Sequence, residues 1–98
     1  MSASLPSVLF RINPAVGLHW RHWNSDWIVF EIASGNTHQL DELTACALLC
    51  LEEGPLHAEL LVTEVAAAIH LPEEEIESAL RGAMDQLTRL GLVDNVPE

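Results

Sequence analysis

Five histidines and two cysteines are the residues of this chain most open to site chemistry. His19 and His22 stand three apart in an aromatic stretch. On a strand that spacing sends them to opposite faces, so they cannot chelate one ion together. Cys46 and Cys50 are four apart, which on a helix places both thiols on one face. Two thiols are half a zinc site, and no further pair stands at a zinc-like spacing. A disulfide between helix neighbours is geometrically poor, so the pair reads as two small buried apolar residues. The sequence contains no HExxH, CxxC or Gly-rich phosphate loop. No Ser or Cys sits beside a base in the pattern of an activated nucleophile. His57 and His70 flank a predicted helix, and His38 lies in a predicted strand, the most telling position of the five. The expectation is a non-catalytic protein with no catalytic residue, no metal and no cofactor.

The composition narrows the partners. The chain has 98 residues, 15 of them acidic against four arginines and no lysine, for a formal net charge of −11. That balance opposes nonspecific attraction to nucleic acid or to an anionic membrane surface. No apolar run is long enough to span a bilayer, and the N-terminus lacks a basic segment followed by an apolar one. A single domain over residues 1–98 is expected, irregular at 1–8 and 95–98, in a cytoplasmic protein.

The elements that must position any site begin with a hairpin. Leu18–Trp23 (LHWRHW) and Trp27–Ile32 (WIVFEI) flank Asn24-Ser25-Asp26, which reads as a three-residue loop. That loop sets Trp23 opposite Trp27, Arg21 opposite Val29 and His19 opposite Glu31. The alternate face, with Leu18, Trp20, Ile28, Phe30 and Ile32, is the more apolar and is expected to meet the helices. Trp20 is then a core residue, and Trp23 with Trp27 forms either a cross-strand pair or an exposed contact patch. Ahead of the hairpin, Val8–Ile12 reads as a short extended piece.

Residues 34–43, SGNTHQLDEL, compress a turn, a strand and a helix start. Gly35 and Asn36 tolerate positive φ, Thr37–Leu40 runs as a third strand antiparallel to the second, and Asp41 caps the next helix. As the last strand of a meander, Thr37–Leu40 leaves one side unpaired, which is either a liability or a docking edge. Three helices follow. Asp41–Glu53 is apolar nearly all round and expected to be central, and Gly54-Pro55 ends it. The second runs from about Ala58 to Ile69. The third runs from Pro72 to about Leu90, with Ile76, Leu80, Ala83, Met84, Leu87 and Leu90 at helical spacing and Glu73-Glu74-Glu75 at the positive end of its dipole. This order predicts an α+β, winged-helix-like fold: a three-stranded antiparallel sheet followed by three helices.

The third helix also resembles the last helix of winged-helix DNA readers, but it sets Arg81 and Arg89 against Glu73, Glu74, Glu75, Glu77 and Asp85. LHWRHW, WIVFEI, ASGNTHQLDEL, the Ala/Leu-rich helix ending in EEGP, and LTRLGLV together resemble the PqqD-like peptide chaperones, or RiPP recognition elements. The branch they resemble is the one associated with an HPr-kinase-related protein (HPr-rel-A type). The resemblance covers roughly residues 9–94, and its specific part is the SG-x-TH-x-LD block.

It implies a protein that binds the leader segment of a ribosomally made precursor peptide and presents it to modifying enzymes. In that family the leader adds as a strand to the third strand, over a groove beside the third helix. Carried onto this chain, the peptide-binding residues are Thr37, His38, Gln39 and Leu40, with Leu80, Arg81, Met84, Leu87 and Thr88 on the helix. Strand addition takes affinity from main-chain hydrogen bonds and specificity from side-chain pockets. Met84 is suited to line such a pocket, and Arg81 to pair with an acidic leader residue. The implied partners are the precursor peptide and a modifying enzyme, with an HPr-kinase-related protein as its candidate. The competing readings are a winged-helix DNA-binding regulator and a subunit whose open edge pairs with its own copy as a homodimer.

Overall fold

The computed structural model describes residues 8–24 and 26–97. The expected meander is present as β2 (Leu18–Trp23), β3 (Asp26–Glu31) and β4 (Thr37–Leu40), paired antiparallel in the order β2-β3-β4. Three helices follow, α1 (Glu42–Glu52), α2 (Ala58–Ile69) and α3 (Glu73–Arg89). The fold is therefore the α+β, winged-helix-like arrangement that the sequence predicts.

A second three-stranded sheet accompanies it. β1 (Val8–Ile12) lies between a two-residue strand, β5 (Leu56–His57), and β6 (Val93–Pro97). The chain was expected to be irregular at Val8 and beyond residue 94. Instead Val8 opens β1, and Val93–Pro97 returns alongside it. Leu92 and Val93 are buried at the root of β6, so burial of this apolar pair carries the tail back onto the core.

Local chemistry explains the helix ends. Asp41 takes an extended conformation, and its carboxylate accepts a 2.8 Å bond from the Thr44 N–H, capping α1. Gly91 ends α3 with φ +79°, a left-handed conformation that costs glycine nothing. There the Leu92 N–H reaches the Leu87 carbonyl and the Gly91 N–H the Thr88 carbonyl, a Schellman motif. α1 packs against α2, α3, β1 and β3 and is the central helix. Leu48, Leu61, Ile76, Leu87, Leu92, Val29 and Val65 are fully buried around it.

The hairpin differs from expectation by one residue. His22 stands opposite Trp27, Trp20 opposite Val29, Leu18 opposite Glu31 and Trp23 opposite Asp26. β2 runs to Trp23 and β3 begins at Asp26, so the connection is shorter than the expected three-residue loop. Asn24 takes φ +57°, a left-handed conformation that Asn tolerates and that short hairpin connections favour. Asp26, polar enough to read as loop, belongs to β3.

Because side chains alternate, the slip turns all of β3 over relative to β2. Val29 is fully buried, and Trp27 packs against the core with Leu18 and Trp20. Ile28 and Phe30, expected inside, lie on the opposite face, and Ile32 is 70% exposed. The expected Trp23–Trp27 pair gives way to two other contacts of Trp27. Its ring stacks on His22 at 3.8 Å and meets Trp20 edge-on at 5.9 Å. The Trp20 indole N–H donates to Glu52 at 2.7 Å, tying the meander to the end of α1.

Candidate functional site

The register slip puts Glu31 on the inner face, 7% exposed, where a carboxylate needs partners. It has two. His38 Nε2 lies 2.5 Å from one carboxylate oxygen, and the Ser34 hydroxyl donates to the other at 3.2 Å. The His–Glu pair expected between His19 and Glu31 is thus made by His38, across the β3–β4 ladder. Main-chain bonds close the same corner, from Glu31 N–H to the Asn36 carbonyl and from Gly35 N–H to the Glu31 carbonyl. SGNTHQLDEL is therefore a strand locked at its start by a buried carboxylate and at its end by the Asp41 cap.

The ladder also fixes which way β4 offers its backbone. Glu31 bonds Asn36, and Val29 and Trp27 stand opposite His38 and Leu40. Main-chain groups alternate along an antiparallel strand, so His38 and Leu40 point theirs at β3. Thr37 and Gln39 point theirs at the open side. Their side chains are exposed, whereas Leu40 is buried in the core and His38 is half-buried.

A groove of about 650 Å³ runs along α3. Its walls are apolar: Val8 and Phe10 from β1, Ala58 and Val62 from α2, and Leu80 and Met84 from α3. Arg81, Thr88, Glu59, Glu77, Asp85 and Asn95 also line it. The Thr88 hydroxyl donates to the Met84 carbonyl at 2.7 Å, so its proton is already used. Asp85 is bonded to Arg89 one turn on.

The structure thus gathers Leu80, Arg81, Met84 and Thr88 into one groove and places Leu87 behind it, fully buried in the core. It does not bring Thr37–Leu40 there. The strand wall of the groove is β1, a segment the sequence marks only as a short extended piece. Phe10 and Val62 are lining residues that sequence reasoning missed. The short apolar run in Val8–Ile12 was the available signal, and it is too short and too uniform to assign a face.

A smaller hollow of about 260 Å³ lies where Trp27 meets α1 and the end of α2, lined also by Cys46, Leu49, Cys50, Ala68 and Ile69. Both cysteines are free thiols. Burial raises both pKa values; Cys50 is pushed up to about 11, with Cys46 beside it adding to the shift. These are protonated thiols, not activated nucleophiles.

Fold and site together define the class: a winged-helix-like α+β domain with an open sheet edge and an apolar helix groove. A solved structure, TbiB1 in complex with the TbiA(beta) leader peptide, matches the chain with a TM-score of 0.67 at 20% identity. The match covers 90% of this chain and 99% of that one. The two proteins share a fold. No family model and no curated protein matches the chain. Among the described residues, no helix is long and apolar enough to cross a membrane.

Proposed function

We propose that this protein is a non-catalytic peptide chaperone that binds the leader segment of a ribosomally made precursor and presents it to a modifying enzyme. The observation that carries the reading is the outer side of β4: Thr37 and Gln39 turn their main-chain groups away from β3, where no strand among the described residues pairs with them, on a strand fixed at both ends by side-chain bonds. A rigid edge suits strand addition because little ordering cost remains for the protein. The shared fold with a protein solved on a leader peptide supports the same reading. Main-chain pairing is assigned to Thr37–Leu40, with His38 and Leu40 fixing the strand from its inner face. Side-chain seating is assigned to Leu80, Arg81, Met84 and Thr88, with Leu87 supporting the groove from behind.

The PqqD-like family and its HPr-rel-A branch remain part of this proposal, as do an HPr-kinase-related enzyme as recipient and a cytoplasmic location. The test is titration of isotope-labelled protein with the leader peptide of a candidate precursor. Amide shifts at Thr37–Leu40 at micromolar concentration are expected. Shifts confined to β2, the other edge of the sheet, would move the site, and no binding would overturn the reading. Sedimentation of the free protein tests the homodimer, which would occupy the same edge.

A further inference from the structure

Two features of the α3 groove pull in different chemical directions. Its floor is apolar, built from Phe10, Val62, Leu80 and Met84. Its rim is acidic: Glu59 on α2 and Glu77 and Asp85 on α3, against Arg81 alone among its lining residues. Arg81 stands one helical turn from both Glu77 and Asp85, so it is outnumbered by acids along its own helix face. A ligand carboxylate brought to Arg81 would meet those two acids as well, within a molecule of net charge −11. The acid-pairing role expected of Arg81 is therefore electrostatically disfavoured. Glu59, across the groove on α2, stands apart from that row.

We propose that this groove selects a cationic amphipathic peptide segment, one that seats an apolar side chain on Phe10, Val62, Leu80 and Met84 and sets a Lys or Arg beside it, against Glu59 and Glu77. This rests on the leader-binding reading for the class of ligand and adds the selectivity. The apolar seat supplies affinity, and the rim excludes acidic segments and steers basic ones toward the groove. Arg81 then acts against ligand charge.

The probe is a display library of random dodecapeptides selected on the full-length protein. Enriched sequences are expected to pair an apolar residue with Lys or Arg, and a labelled representative should bind more weakly as salt rises. Glu59→Lys with Glu77→Lys, both on exposed side chains, should weaken that peptide about tenfold while leaving the circular dichroism and melting unchanged. Arg81→Gln should strengthen it by about two- to threefold. Enrichment of acidic peptides, or affinity that ignores the double charge reversal in a folded protein, overturns the inference. Binders that shift only Thr37–Leu40 amides also overturn it but leave the leader-binding reading standing. A selection that enriches nothing removes both.

Discussion

The β4 edge and the α3 groove, the two surfaces to which leader binding is proposed, are built on opposite principles. The edge offers backbone. Its side chains hold the strand, through His38 on Glu31 and Leu40 in the core, while Thr37 and Gln39 leave their main chain open. The groove offers side chains on elements whose own backbones are already bonded, with Leu80 and Met84 serving both its wall and the core. Main-chain pairing tolerates many sequences, whereas an apolar floor with a charged rim discriminates among them. An edge alone would pair with many extended chains, and a groove alone would pay in full for ordering its ligand. Affinity and selectivity therefore rest on different surfaces in the proposed function, and mutations should separate them.

The largest effect belongs to the groove wall. Leu80 is 3% exposed, so Leu80→Ala should cost about 2–5 kcal/mol of stability. Urea unfolding measures that loss, and peptide binding should fall with it. A loss below about 1 kcal/mol would mean that the wall collapses onto the vacancy and that groove and core are less coupled than their packing implies. Next comes the lock behind the edge. Glu31→Ala removes the partner of both His38 and Ser34, at about 1–3 kcal/mol. Amide exchange should quicken at His38 and Leu40, whose N–H groups face β3, while the α3 amides keep their protection. Uniform quickening would show that the edge is not a separate unit.

What the sequence disclosed follows the same divide. The helix boundaries were legible because each has a local chemical cause, such as the Asp41 cap, Gly54-Pro55 and Gly91. The edge strand was legible because turn, strand and cap are adjacent in the chain. The hairpin register was not, since Asp26 reads equally well as loop or strand and one residue decides the face of all of β3. Hydrophobicity pointed the wrong way, because Ile28, Phe30 and Ile32 are the more apolar set, yet Val29 and Glu31 face inward. The groove's strand wall was not legible either. β1 comes beside α3 through its pairing with β6, where Ile12 stands opposite Val93 and Val8 opposite Pro97, near the two ends of the described chain. No local pattern reports a contact of that range.

Gln39→Pro separates the two surfaces most directly. It deletes an N–H that points to the open side, at an edge position where proline is tolerated. Stability should change little, and affinity for an added strand should fall about tenfold, the worth of one main-chain bond. Thermal melting and anisotropy together check this. Equal affinity in a protein that melts normally would place the peptide's backbone elsewhere and leave the groove as the whole site.

The smallest effect concerns the hollow at Trp27, which touches the end of the edge because Trp27 stands opposite Leu40. With the Cys50 pKa raised to about 11, chiefly by burial, its thiolate is scarce at neutral pH. Alkylation should therefore be slower than for a free cysteine and should accelerate as pH climbs toward that value. The sign for stability follows: a folded-state pKa above the unfolded one means the folded protein holds its proton longer. The contribution is then complete below the ordinary thiol range and is lost as pH rises toward about 11. Mass spectrometry of iodoacetamide-treated protein over a pH series measures the first effect, and melting over the same series the second. An adduct at Cys50 that leaves leader binding unchanged would keep the hollow off the peptide's path. An adduct that blocks binding would extend the edge past Leu40 onto Trp27 and give the backbone surface a side-chain pocket of its own.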